Sequence, residues 1–198
     1  SYSLSLRPRF RVSDKLMVIY NFKYDYDQNN IGYVNDSVGS ENNPAIIFGA
    51  RDIDTYENTF DANYRFTNKS SLGFRLRHYW ISLTYNQFYN LDTDGLLLAS
   101  DYNETHDFNY NIFNIDMQYI WNFAPGSEVR IVWKNAINSY EEAELVNSIL
   151  QPVEDSFGKN FMNMLESPAT NSFSVKLLYY LDYQQISKTL KKKNSPAS

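Results

Sequence analysis

The hydrophobic residues of this chain alternate with polar ones over long stretches, a pattern typical of β-strands whose two faces meet different surroundings. Phe113 and Ile115, for example, are separated by Asn114. About seven such stretches are present, at residues 4–12, 16–26, 56–66, 72–85, 113–123, 129–134 and 173–183. Several reach the roughly 9–11 residues that a tilted strand needs to cross a bilayer.

The connections between these strands alternate in length. Short turns are predicted near residues 13–15, 68–70 and 124–127, and long connections near residues 28–52, 87–106 and 137–171. Short turns at one end and long loops at the other are typical of outer-membrane barrels. The sequence therefore predicts an all-β fold, an antiparallel transmembrane β-barrel with short periplasmic turns and long extracellular loops.

The loop at residues 137–171 has a helical periodicity of its own. Ser139 and Glu142 have the spacing of a capping box. Apolar residues then recur at helical spacing in residues 145–150 and 157–165, which predicts two short amphipathic helices. We expect this loop to pack on the barrel mouth or, alternatively, to contact a partner or lipid.

Composition is consistent with a barrel and excludes several other classes. Aromatic residues make up 17% of the 198 residues, although the mean hydropathy is only −0.51. No apolar run is long enough for a transmembrane helix, and the absence of cysteine removes disulfides and thiol chemistry. The net charge of −5 argues against nucleic acid as a partner. A barrel accounts for the polar mean because only the outward half of each strand must be apolar.

Alternation assigns the side chains to two faces. The predicted lumen lining comprises Arg7, Arg9, Arg11, Lys23, Asp25, Asp61, Arg65, Arg75, Arg77, Asp116, Arg130, Lys134 and Lys176. The predicted lipid-facing set comprises Phe22, Tyr64, Phe66, Phe74, Met117, Tyr119, Trp121, Trp133, Leu177 and Tyr179. Charges in the lumen would either set solute selectivity or form an ion-pair network that fills a narrow barrel.

A soluble β-sandwich or lipocalin-like barrel, with the apolar faces turned inward, is the alternative fold. Soluble strands usually have about 5–6 residues, and the stretches here are longer. The odd strand number also matters, because bacterial single-chain barrels normally have even numbers. We therefore expect residues 1–186 to be the C-terminal portion of a larger barrel, followed by a polar basic tail at residues 187–198.

Few residues suggest chemistry. His78 shares strand parity with Phe74, but the alternation shifts at Tyr79, which predicts a bulge or a phase break. A lipid-active hydrolase could use an outward His with Ser82, whereas an interfacial histidine in an aromatic belt is the simpler interpretation. The sequence contains no nucleotide fingerprint or nucleophile elbow. We therefore predict no catalytic residues, no metal site, no cofactor and no enzyme activity.

Specific strings add a family resemblance. They are Arg51-Asp52 through Thr55, Tyr64-Arg65-Phe66-Thr67, Ser71-Leu72, Arg77-His78-Tyr79-Trp80 and the stretch from Ser172 to Tyr183. Together they resemble the C-terminal region of an uncharacterised Bacteroidota family, in which a carbohydrate-binding domain of the family 9 type precedes an outer-membrane barrel. The resemblance implies a barrel and no catalytic residue. The carbohydrate-binding domain would imply contact with glycans, but its residues are not in this chain.

These observations lead to three functional hypotheses for a protein in the outer membrane of a Gram-negative bacterium. The first is a porin-like or transport-related channel for glycan-derived solutes. The second is a structural or accessory subunit of an outer-membrane complex, and the third is the lipid-active hydrolase. The expected partners are membrane lipids and either other outer-membrane proteins or the missing upstream barrel strands.

Overall fold

The computed structural model describes residues 1–40, 43–146 and 149–181, which form a large antiparallel sheet, a small hairpin and one helix. The strands are β1 (Tyr2–Leu6), β2 (Arg9–Arg11), β3 (Leu16–Ser40), β4 (Asn43–Thr67), β5 (Ser70–Leu91), β6 (Leu97–Ala99), β7 (Phe108–Ala124), β8 (Ser127–Glu142), β9 (Glu144–Val146), β10 (Ile149–Gln151) and β11 (Ala169–Leu178). The helix is α1 (Phe157–Glu166).

The main sheet is a meander in the order β1-β3-β4-β5-β7-β8-β11. The short strand β2 continues beside β3, and β6 pairs with β5. The first predicted strand is thus divided at Pro8, because proline has no backbone N–H to donate to the ladder. The Pro8 carbonyl still accepts a hydrogen bond from the backbone N–H of Tyr20. The predicted all-β antiparallel architecture is confirmed. The sheet is not closed, since β1 and β11 are its two edges.

All three predicted short turns are hairpin connections at the same end of the sheet. In the turn before β3, the Ser13 hydroxyl accepts the backbone N–H groups of Lys15 and Leu16. The turn between β4 and β5 uses Thr67 in the same way. Gly126 has a φ of 72° between β7 and β8, a conformation that glycine adopts without steric cost. The longer connections lie at the opposite end.

The prediction of a long irregular connection at residues 28–52 is wrong, because β3 and β4 extend through most of it. Their ladder continues past register shifts between Asp27 and Asn30 and between Tyr33 and Asn35. Asn29 has a φ of 53° in the first irregularity, and its backbone N–H donates to Asp52. Such bulges change the phase of the alternation, so the segment does not look like a strand in sequence.

The loop between β8 and β11 contains one helix in place of two. The predicted second helix exists as α1. The prediction of a helix at residues 145–150 is wrong. The described residues of this segment, 145–146 and 149–150, belong to the β9–β10 hairpin, in which Val146 pairs with Ile149. Short apolar runs fit either element, and pairing decides between them.

The bulge predicted near His78 is also absent. The β5–β7 ladder is continuous from Ser70 to Leu83. The irregularity of β5 lies further along, where Arg51 pairs with Tyr85 and Ala50 pairs with Gln87. The shift in the alternation of apolar residues therefore does not come from a bulge. It reflects a change along β5 in the elements that cover each face of the sheet.

The best-packed core lies where α1 covers one face of the sheet. Met164 of α1 packs with Phe113 of β7 and Ile137 of β8, and all three are buried. No helix in the described part of the chain is long and apolar enough to cross a membrane. The predicted tail at residues 187–198 lies outside the described residues.

Candidate functional site: the two faces of the sheet

Strand register places the two predicted side-chain sets on opposite faces of the sheet. Phe74 pairs with Met117, which pairs with Trp133 on the next strand. One residue along the strands, Arg75 pairs with Asp116. Because neighbouring positions in a strand point to opposite sides, these rows define an apolar face and a polar face. None of the ten predicted lipid-facing residues is buried.

Ion pairs connect adjacent strands across the polar face. Arg75 Nε lies 2.5 Å from Asp61 Oδ1, and Arg77 Nη2 lies 2.6 Å from Asp116 Oδ2. Lys134 reaches the other oxygen of Asp116 at 3.7 Å. Of the remaining predicted residues, Lys23 pairs with Asp25 and Glu57, Arg130 pairs with Glu128, and Arg11 pairs with Asp14. These partners follow from the strand register and could not be read from the alternation alone.

Among the residues predicted to lie on the polar face, basic side chains outnumber acidic ones. Among the described residues, four of the predicted basic side chains make no ion pair: Arg7, Arg9, Arg65 and Lys176. The predicted acidic residues Asp25, Asp61 and Asp116 all have partners. The polar face is therefore locally positive, although the whole chain carries a net charge of −5.

Shallow cavities follow this positive surface. One, of about 310 Å³, lies between Asn63 and Gln118 and includes Arg75 and Asp116 in its lining. A second, of about 350 Å³, extends from Arg7 across the sheet to Arg77. The polar face thus has room for small solutes beside its charged groups.

The apolar face has two aromatic belts. The turn-side belt lies near the short turns and comprises two groups of rings, Tyr64, Phe66 and Tyr119 in one and Trp121, Phe123 and Tyr179 in the other. Neighbouring ring centroids within each group lie 4.8–6.1 Å apart. The loop-side belt consists of Tyr2, Tyr24, Tyr56 and Trp80, whose neighbouring ring centroids lie 4.7–5.8 Å apart. Phe157 of α1 packs on Trp80, which is buried, at 5.7 Å. Residues between the belts, such as Phe22, Phe74 and Met117, are mainly apolar.

The separation of the belts can be worked out from the register. Trp121 pairs with Ser70, and Trp80 lies ten residues further along β5. At about 3.3 Å per residue, the rows are about 33 Å apart along the strand. If the strands tilted by about 35–45°, as barrel strands do, the height between the belts would be about 25 Å, which is the height of the apolar band of an outer-membrane barrel.

Helix α1 covers part of the apolar face near the loop-side belt and creates a buried polar cluster there. The Asn111 and Asn160 side-chain amides exchange two hydrogen bonds, of 3.0 and 2.9 Å. Asn109 accepts from the Trp80 indole N–H and donates to the Glu154 carbonyl. The sequence prediction missed these asparagines, although the positions of Asn109 and Asn111 in the apolar register of β7 were a visible signal.

His78 belongs to this covered cluster. Its Nε2 lies 3.3 Å from Asn111 Oδ1, and its ring contacts Phe157 and Phe161 of α1. Within the described ranges, Asn111 is the hydrogen-bond partner of His78, and neither Ser82 nor a carboxylate bonds to it. Nor does any group of three His, Asp or Glu residues in these ranges have a geometry that could hold a metal ion.

The family comparison covers almost the whole chain. The model of the family described as "Domain of unknown function (DUF5916)" matches residues 1–190. The chain belongs to this family. No curated protein and no solved structure matches the chain. Membership identifies the chain as part of an uncharacterised family and assigns it no activity.

Proposed function

We propose that this chain is part of a β-barrel in the outer membrane of a Gram-negative bacterium, with its apolar face toward lipid. The observation that carries the proposal is the pair of aromatic belts, which lie ten residues or about 33 Å apart along the strands, with mainly apolar residues between them. Tyr and Trp favour both membrane interfaces because their rings are apolar and their polar groups reach water. The exposure of Leu177 and Trp121 supports the same orientation, because a soluble core would bury them.

We further propose that the polar face lines a porin-like or transport-related channel. The cross-strand ion pairs, the unpaired basic groups and the shallow cavities support a hydrated surface. Rings of charged side chains set ion selectivity in membrane pores. The resemblance to Bacteroidota proteins with a family 9 carbohydrate-binding domain extends this proposal to glycan-derived solutes.

The two free edges of the sheet require partners under this proposal. A strand edge exposes unpaired N–H and C=O groups, and hydrocarbon offers no substitute for their hydrogen bonds. We propose that β1 with β2 and β11 pair with further strands, from another part of the polypeptide or from another outer-membrane protein. Lipids are the partner of the apolar face.

The membrane orientation is tested by moving one charge between the faces. Met117 and Gln118 are neighbours on β7, and both lie between the rows of the two belts. Met117→Arg should lower the unfolding free energy in lipid vesicles by about 2–4 kcal/mol, the cost of arginine on a lipid face near the midplane. Gln118→Arg is the matched control and should cost much less. Equal losses, measured by urea unfolding of the full-length protein, would contradict the proposed orientation.

A structural or accessory subunit is the second candidate, favoured by the ion pairs that connect β4, β5, β7 and β8 across the polar face. Such a network could fill a narrow barrel without leaving a pore. Conductance of the full-length protein in a planar bilayer distinguishes the two, since a silent barrel would favour the accessory role. The hydrolase hypothesis would need lipid-ester turnover that His78→Ala abolishes.

A further inference from the structure

The cavity beside Arg7 is a cationic concavity on the polar face. Its lining consists of Arg7, Ile19, Asn21, Thr59, Asp61, Arg75 and Arg77, and its volume is about 350 Å³. Three guanidinium groups therefore lie around one space together with a single carboxylate. That volume is at the lower end of the range for small-molecule sites.

Register explains why these side chains converge. Asn21 pairs with Thr59, which pairs with Arg77. In the adjacent row of the same face, Ile19 pairs with Asp61, which pairs with Arg75. The cavity thus lies over two consecutive rows of β3, β4 and β5. Arg7 approaches it from the linker between β1 and β2.

The three arginines retain unused donors. Each guanidinium has five N–H groups in a planar fork. Arg75 uses its Nε toward Asp61, and Arg77 uses Nη2 toward Asp116, while both side chains remain about half exposed, at 55% and 51%. Arg7 makes no hydrogen bond or ion pair among the described residues, so its whole fork is available.

Donors of this kind match one class of ligand. Guanidinium forks bind carboxylate, sulfate and phosphate groups through paired, charge-assisted hydrogen bonds. Thr59 and Asn21 add neutral polar groups to the lining. A neutral sugar would leave the charge of Arg7 uncompensated, whereas an oxyanion would neutralise it.

We propose that this cavity is an oxyanion-binding site for the anionic group of a small solute. The proposal deepens the proposed channel function and rests on it for the assumption that solutes reach the polar face. Asp61 and Asp116 remain bound to Arg75 and Arg77 and hold these guanidinium groups in place. Arg7 completes the site from the neighbouring edge.

Binding is tested on the purified full-length protein in detergent, by calorimetric titration with inorganic phosphate at constant ionic strength. The variant is Arg7→Gln, which removes one fork without leaving a carboxylate unpaired. Lys176→Gln is the matched control, since it removes the same charge from the same face on β11, outside the cavity. We expect saturable phosphate binding in the wild type, an affinity at least tenfold lower in Arg7→Gln, and a change below threefold in Lys176→Gln.

Absence of phosphate binding in the wild type, or equal losses in the two variants, would overturn the site. Glucose serves as a neutral probe, and binding of glucose with the same dependence on Arg7 would also overturn it. The channel is judged separately, by conductance in a planar bilayer under a potassium chloride gradient. A protein that shows no conductance but binds phosphate through Arg7 would disprove the channel and support the binding site. A protein that conducts ions but does not bind phosphate through Arg7 would support the channel and disprove the binding site.

Discussion

The attachment of α1 to the sheet depends on a reciprocal pair of amides, and Asn160→Ala tests it. The Asn160 amide exchanges hydrogen bonds with Asn111 of β7, and each side chain is only 2% exposed. Truncation removes both bonds. It also leaves the buried Asn111 amide without its partner on the helix.

The magnitude follows from these contacts. Removing one partner of a buried polar pair costs about 1–3 kcal/mol, because the remaining group stays desolvated. We therefore expect α1 to detach about 2 kcal/mol more easily. Since about 1.4 kcal/mol corresponds to a factor of ten, amide hydrogens of α1 should exchange roughly 30-fold faster in Asn160→Ala, as hydrogen exchange detected by mass spectrometry would show.

The control is Asn163→Ala, which makes the same chemical change at an exposed position of the same helix. Alanine has the higher helix propensity, so any intrinsic gain is present in both variants. If the amide hydrogens of α1 exchanged at rates within threefold of each other in Asn160→Ala and Asn163→Ala, the reasoning would be refuted. In addition, the Asn111→Ala/Asn160→Ala double variant should lose less than the sum of the single losses, because the two residues share their hydrogen bonds.

Three further predictions concern the extended part of the β3–β4 hairpin. Gly49→Ala should lower the unfolding free energy by about 1–3 kcal/mol in urea titrations, because its added methyl group would clash with the Tyr85 ring; an unchanged midpoint would show that the ring moves at no cost. Asn29→Val should destabilise the same transition more than Asn29→Gly, because a β-branched residue tolerates the φ of 53° poorly; the reverse order would exclude backbone strain as the cause. Outside the proposed membrane span, hydrogen bonds from the Asn29 backbone and from Tyr26 hold the pKa of Asp52 below its usual range. The stabilisation is therefore fully present above the unfolded pKa of about 3.9 and is lost as the pH falls through the folded value. Asp52→Asn should lower the melting temperature at neutral pH, and this difference should shrink in acid; a difference independent of pH would contradict the role of the carboxylate.

Much of the sheet could be predicted because strand periodicity is local. The alternation around Met117 and Asp116 assigns each to a face without knowledge of any partner strand, and the turn at Gly126 has a local signature. The segment from Asp27 to Asn35 was missed for a local reason too, since bulges interrupt the period on which the prediction depends. The candidate oxyanion site was only half visible, because its basic residues were predicted but their convergence was not.

The sequence by itself determined the all-β architecture, the division of each strand into an apolar and a polar side, and the excess of basic groups on the polar side. These properties depend on neighbours within one strand. Only the tertiary structure decided that Arg7, Arg75 and Arg77 share one cavity, that the two aromatic belts line up across strands, and that α1 covers His78. Contacts of this kind depend on strand register and on the path of a long loop, both of which result from pairing between residues far apart in the chain.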